Sequence, residues 1–142
     1  MKTGAERDLF DVYAGRLNPA PELREVEEKR RLEGPRLKAR EAELLLGATP
    51  DGAMVVALDE RGRQMSSRAF ADRLGAWRDE GVRDVAFLIG GADGLDESVR
   101  AKADLILSLG EMTWPHMLVR GMLAEQIYRA HAILSGHPYH RD

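Results

Sequence analysis

Three short apolar runs constrain this chain more than any other feature: "AMVVALD" at residues 53–59, "DVAFLIGG" at 84–91 and "DLILSLGEMTW" at 104–114. Each has the length and the aliphatic content of a buried strand, without the polar alternation of a strand that has one wet face. Helical spacing lies between and after them. "SSRAFADRLGAWRDEGV" opens on a Ser cap and carries Phe70, Leu74 and Trp77 as a stripe. "LDESVRAKA" predicts a short helix, and residues 115–135 predict the longest one, with Pro115 in its first turn, where a missing N–H costs nothing. Strand and helix alternating three times is the order of an α/β domain with a parallel sheet. In such sheets ligands sit beyond the carboxyl ends of the strands. Those ends are Leu58–Asp59, Gly90–Gly91 and the loop from Leu109 to Trp114, so the three are expected to line one crevice.

Upstream, residues 4–17 place Leu9, Phe10, Tyr13 and Leu17 at helical spacing, and "NPAP" then breaks the chain. The charge density of "ELREVEEKRRLEG" reads as an exposed helix, although Leu23 and Val26 are too sparse to set a period. "RLKAREAELLLGA" predicts a better helix, with Leu37, Leu44 and Leu45 on one side and Gly47 as its C-cap.

A chain of 142 residues reads as one domain, 1–142, large enough to bury a core. Its 44% hydrophobic and 32% charged residues describe a soluble globule rather than a disordered chain. The absence of cysteine excludes disulfides and cysteine-ligated metal sites. No apolar leader and no bilayer-length stretch is visible, which points to the cytoplasm and away from a membrane. The net charge of −3 does not favour bulk electrostatic binding of nucleic acid, so any such role needs a local basic surface or a target in a larger assembly.

The glycine-rich "LIGGADGL" lacks the G-x-G-x-x-G spacing, and no Gly-Lys-Ser/Thr run is present, so neither a dinucleotide fingerprint nor a phosphate loop is supported. Taken alone, Gly90, Gly91 and Gly94 read as a tight turn that needs positive φ. No G-x-S-x-G elbow marks a serine nucleophile. In "LGEMTWPH", Gly110 allows close backbone approach, and Met112 with Trp114 either encloses an apolar ligand or packs in the core. His137 and His140 have a spacing that a metal could use with His116 or His131. The stiffness of Pro138 and the lack of a fixed carboxylate argue for no metal.

Four ordered motifs, "FLIGGADGL", "LSLGEMTWPHMLVR", "AEQIYRA" and "HPYHRD", resemble the bacterial large-subunit ribosomal RNA methyltransferase H family, of the SPOUT class. The resemblance covers residues 3–142 and is strongest from Val55 onward. It implies a parallel-sheet SPOUT fold with a C-terminal trefoil knot, S-adenosylmethionine as methyl donor, and a homodimer acting on 23S rRNA in the ribosome. The reaction it implies is methylation of N3 of a pseudouridine in the stem-loop at the subunit interface. It also implies a strand where "ELREVEEK" stands, against the helix reading. Relatives begin with a hydrophobic strand ahead of "KTGAERDLFDVYAGRL", whereas this chain opens at Met1 beside the first helix, so that first family strand is expected to be missing.

Carried over by motif, the cofactor residues are Leu58 from "VALDERG", Gly90, Leu109, Gly110, Glu111, Met112, Thr113 and Trp114. These are the strand ends that periodicity selects independently. For chemistry the resemblance favours four residues. His116 stands beside the cofactor loop; Arg129 binds phosphate or stabilises charge on a base carbonyl; Tyr139 contacts the flipped base; Arg141 holds the phosphate backbone. His137 and His140 are secondary candidates. The last helix carries Met117, Val119, Met122, Leu123, Ile127, Tyr128 and Ile133, more apolar surface than one face needs, which fits a dimer. The tail serves either its own site or the partner's. Two rivals are a non-catalytic ribosome-binding or assembly factor of the same fold and a SPOUT tRNA methyltransferase.

Overall fold

The computed structural model describes residues 3–91 and 93–141. Its elements in chain order are α1 (Ala5–Ala14), α2 (Gly34–Ala48), β1 (Met54–Gln64), α3 (Ser67–Asp79), β2 (Val85–Ile89), α4 (Glu97–Lys102), β3 (Leu105–Ser108) and α5 (His116–Ser135). They fall into two compact units, each assembled from separated stretches of chain. Unit 1 comprises residues 1–23, 65–81 and 117–142, and unit 2 comprises 24–64 and 82–116. The alternation of strand and helix expected from residue 53 onward is the alternation found. The expected absence of a family strand ahead of α1 falls on Met1 and Lys2, outside the described residues.

Unit 2 is built on a parallel three-stranded sheet in the order β2-β1-β3. Val56 and Ala57 of the central strand are wholly buried, which is why the run reads as continuously apolar. Ala42, Val55, Ala57, Leu88, Leu95 and Val99 form its core, with Leu45 and Leu46 of α2 packed against them. Polar groups pin the amino ends of the strands. The Val55 N–H donates to the Asp104 carboxylate at 2.7 Å, and the Met54 N–H donates to the Asp84 carbonyl at 2.9 Å. β1 runs on past the predicted Asp59 to Gln64, with a register shift between Leu58 and Arg63 along β3. Asp96 caps α4 by accepting from the Ser98 N–H at 3.0 Å.

Two expectations upstream are corrected. Residues 20–29 lie in neither helix nor strand, so both the helix read from charge density and the strand implied by resemblance fail. With only Leu23 and Val26 as large apolar residues, the stretch has no face to bury. It is held instead by ion pairs to α2. Glu28 accepts from Arg40 Nε at 2.6 Å and from the Arg30 side chain at 3.0 Å, and Arg40 also reaches Glu43 at 2.8 Å. Gly47 does not cap α2 but lies inside it. The helix ends at Thr49, whose hydroxyl donates to the Leu45 carbonyl at 2.9 Å.

Unit 1 gathers α1, α3, α5 and the C-terminal segment. Ser66 caps α3 as predicted, accepting from the Ala69 N–H at 3.0 Å, and Phe70 and Trp77 are buried. Ser67 donates to Gln126 of α5 at 2.7 Å. α5 buries Val119, Leu123, Ala124, Ala130 and Ala132, while Met117, Met122, Ile127 and Ile133 stay half-buried. Leu9 of α1 fits against Gly121, where an added Cβ would stand 2.6 Å from it. Residues 15–17, expected as helix, form a turn after α1, with the Gly15 N–H donating to the Asp11 carbonyl.

Candidate functional site

In a parallel sheet all carboxyl ends lie on one edge. Leu58 of β1 is in register with Ile89 of β2 and with Leu107 of β3. Gly90 follows one of these partners by a single residue and Leu109 follows the other by two. Unit 2 therefore brings together the three segments that sequence spacing selects. Leu58, Gly90, Leu109 and Gly110 are half-buried, whereas Glu111, Met112, Thr113 and Trp114 are exposed. Met112 is 74% and Trp114 40% exposed, so neither packs in the core.

The loop after β3 is not slack. The Ser108 hydroxyl, in a residue only 4% exposed, lies 3.1 Å from the Glu60 carbonyl and 2.9 Å from the Gly110 carbonyl, and accepts from the Gly110 N–H at 3.1 Å. Thr113 Oγ1 donates to the Glu60 carboxylate at 2.9 Å. Ser108 thus joins the end of β1 to the loop, and the sequence signals it only as one hydroxyl in an aliphatic run. Gly110 has φ +118°, a conformation that side chains rarely adopt, and nothing lies within 4 Å of where a Cβ would stand. At Gly90 the constraint is different from the positive φ expected of it. A Cβ there would stand 2.7 Å from the Gly94 carbonyl, so glycine is needed for backbone contact.

Charges flank this edge. Burial pushes the Asp59 carboxyl up, but hydrogen bonds from the Arg61 side chain and N–H, with the charges of Arg61 and Arg100, outweigh it and hold the group below its ordinary value. Glu41 of α2 lies over Gly91, its Oε2 3.1 Å from where a Cβ would be. Burial first, and then the charge of Asp93, raise its pKa, while His116 works in the opposite direction. His116 is therefore in electrostatic reach of Glu41. Helix periodicity alone gives Glu41 no prominence.

The other chemical candidates lie in unit 1. Arg129 forms a two-point pair with Glu125, Nε to Oε1 at 3.2 Å and Nη2 to Oε2 at 2.7 Å, and its guanidinium carbon lies 4.8 Å from the centre of the Tyr139 ring. Arg129 Nη1 is 3.0 Å from His140 Nδ1; arginine has no acceptor, so that contact uses the imidazole lone pair. The Tyr139 hydroxyl donates to Glu125 Oε2 at 2.8 Å, and its ring packs edge-on to Tyr128 at 4.7 Å. Burial, with hydrogen bonds to Glu125 and Tyr13, pushes the Tyr139 phenol well up, so it stays protonated and able to donate. Burial raises Glu125, but bonds from Arg129 and Tyr139 win and hold it low. Arg129 and Tyr139 are thus brought together, with Glu125 as the residue that sequence reading misses. Arg141 is exposed, and His137 accepts from the Tyr139 N–H at 3.2 Å as part of the turn.

A protein 67% identical over 140 residues, covering 99% of this chain and 92% of its own length, is the ribosomal RNA large subunit methyltransferase H of Paramagnetospirillum magneticum. Proteins of the same name from Rhodospirillum centenum and Gluconacetobacter diazotrophicus are 63% and 58% identical, each over 99% of this chain and 92% and 91% of their own lengths. The family described as predicted SPOUT methyltransferase matches residues 1–140. With a parallel α/β sheet and a family match along nearly its whole length, this chain belongs to the SPOUT methyltransferase family.

Proposed function

We propose that the chain transfers a methyl group from S-adenosylmethionine to N3 of a pseudouridine in the intersubunit stem-loop of 23S rRNA, as a cytoplasmic homodimer with the C-terminal knot of its class. The observation that carries the reading is the in-register row of Leu58, Ile89 and Leu107, which gathers the expected cofactor residues on one edge. The names of the relatives supply the rRNA substrate class. The half-buried apolar residues of α5 support a second copy as partner, and among the described residues no helix is long and apolar enough to cross a membrane.

The residues at the edge fit a nucleoside cofactor. The open space at Gly110 admits a flat group against backbone, and Met112 and Trp114 offer exposed apolar surface to cover it. Leu58, Gly90 and the residues from Leu109 to Trp114 would hold it through backbone polar groups and apolar walls. When bound, the cofactor supplies an activated methyl on a sulfonium sulfur. Leu58 and Leu109 keep water from that region, which strengthens the electrostatics within it. The N3–H must be lost for the ring nitrogen to attack, and an imidazole nitrogen of His116 is the proposed acceptor of that proton. In unit 1 the Tyr139 ring, its hydroxyl proton engaged by Glu125, offers a face on which an RNA base can stack. Arg129 and Glu125 hold that ring in place, and Arg141 contacts a phosphate.

Mass spectrometry of 23S rRNA incubated with the protein and isotopically labelled S-adenosylmethionine tests the reading. Label on the intersubunit pseudouridine is expected. Label only on tRNA, or rRNA binding without heat from the cofactor in calorimetry, would replace it with one of the two rivals.

A further inference from the structure

Resting on that rRNA reading, we propose that the stretch from Lys29 to Arg40 is the surface through which unit 2 holds the sugar–phosphate backbone of the RNA. Residues 29–40 contain six cations (Lys29, Arg30, Arg31, Arg36, Lys38 and Arg40) and one carboxylate, Glu33, a local charge of +5. The whole chain carries −3, so the remainder carries −3 − 5 = −8. Six of the 21 cations of the chain thus fall within these twelve residues, between acidic flanks that include Glu28 and Glu43, and the cations these acids leave free are the ones open to phosphate.

The structure divides the labour among these cations. Arg30 and Arg40 are used on Glu28, and this clamp fixes the irregular stretch before α2 onto the helix. Lys29, Arg31 and Arg36 are exposed, and among the described residues their side chains have no hydrogen bond or ion pair. Lys38 is in electrostatic reach of Asp96. From Gly34 to Arg40 every charge is positive, and the one acid of the stretch, Glu33, stands at the N-cap of α2. The location agrees. Directly after this stretch, Glu41 lies over Gly91, next to Gly90 of the expected cofactor edge. Phosphates held by Lys29, Arg31 and Arg36 would flank the nucleotide being modified.

The test uses the full chain, purified large ribosomal subunits and labelled S-adenosylmethionine. Binding and KM are measured between roughly 50 and 200 mM salt for wild type, for Lys29→Gln/Arg31→Gln/Arg36→Gln, and for a control of equal charge, Arg78→Gln/Arg83→Gln/Lys102→Gln. Each lost phosphate contact reduces the slope of log affinity against log salt by roughly 0.7–0.9. The triple variant should therefore lose roughly 20- to 40-fold less affinity than wild type across that range, with cofactor affinity and kcat unchanged. The corresponding single variants should each reduce the slope by roughly 0.7–0.9. A slope and KM equal to wild type, or a change matched by the control, would overturn the inference and leave the methyltransferase reading standing. Loss of binding to anionic phospholipid vesicles, with subunit binding intact, would assign the patch to a membrane and overturn it as well. A wild-type chain that binds cofactor but methylates no rRNA would remove both.

Discussion

Ser108 and Glu28 each hold a loop that periodicity cannot fix, and each sets a measurable expectation. The proton of the buried Ser108 hydroxyl serves the Glu60 and Gly110 carbonyls, and its oxygen accepts the Gly110 N–H. Ser108→Ala would leave these groups short of a partner in a place with little water. A loss of about 1–2 kcal/mol in urea unfolding is expected, with weaker S-adenosylmethionine binding in calorimetry. An unchanged midpoint together with unchanged cofactor affinity would show that the loop stands without its staple. Glu28 works through charge. The Arg30 side chain first, then the Arg30 N–H and Arg40, lower its carboxyl to about 2. Because the folded value lies below the unfolded one, the stabilisation is complete above the ordinary value near 4.5 and fades as pH falls from there toward 2. The difference in melting temperature between wild type and Glu28→Gln should be constant from about pH 7 to 5 and shrink steadily below that. A difference that grew in acid would refute the clamp.

Among the elements, two helical glycines separate what a helix wants from what its packing allows. Gly47 lies inside α2 with nothing within 4 Å of an added Cβ, so Gly47→Ala should stabilise by about 0.5–1 kcal/mol through helix propensity alone. A Cβ added at Gly121 in α5 would stand 2.8 Å from Leu9 Cγ and 2.6 Å from its Cδ2, so the same change there should cost about 1–2 kcal/mol despite the better helix former. Thermal unfolding of the two variants should move in opposite directions, and a stabilised Gly121→Ala would mean that α1 yields. The strands and α3 to α5 are legible in the sequence because each buries a continuous run or a regular stripe. Residues 20–29 are not, because ion pairs from Glu28 to a helix a dozen residues away fix them, and such pairs leave no period. The same reason explains the site. Leu58, Gly90 and Leu109–Trp114 stand out because strand ends can be counted, whereas Ser108, Glu41 and Glu125 act through partners distant along the chain or one helix turn removed.

At the scale of the whole molecule, the chain passes between its two units after residues 23, 64, 81 and 116, so neither unit is a continuous piece of sequence. The expected cofactor residues are nonetheless not shared out. All eight, from Leu58 to Trp114, belong to unit 2, and α5 leaves that unit directly after His116. Ligand that binds only the native state stabilises it in proportion to its occupancy, by about 2.7 kcal/mol at a hundred times Kd. Local opening in the part that touches the ligand is suppressed most. Adding S-adenosylmethionine should therefore slow amide exchange first at 58–62, 89–91 and 109–114, with smaller changes in α1, α3 and the body of α5. Hydrogen exchange followed by mass spectrometry resolves these peptides. Protection confined to residues 117–141, with the three strand ends unchanged, would move the cofactor away from the sheet edge and take with it the reason for placing it there.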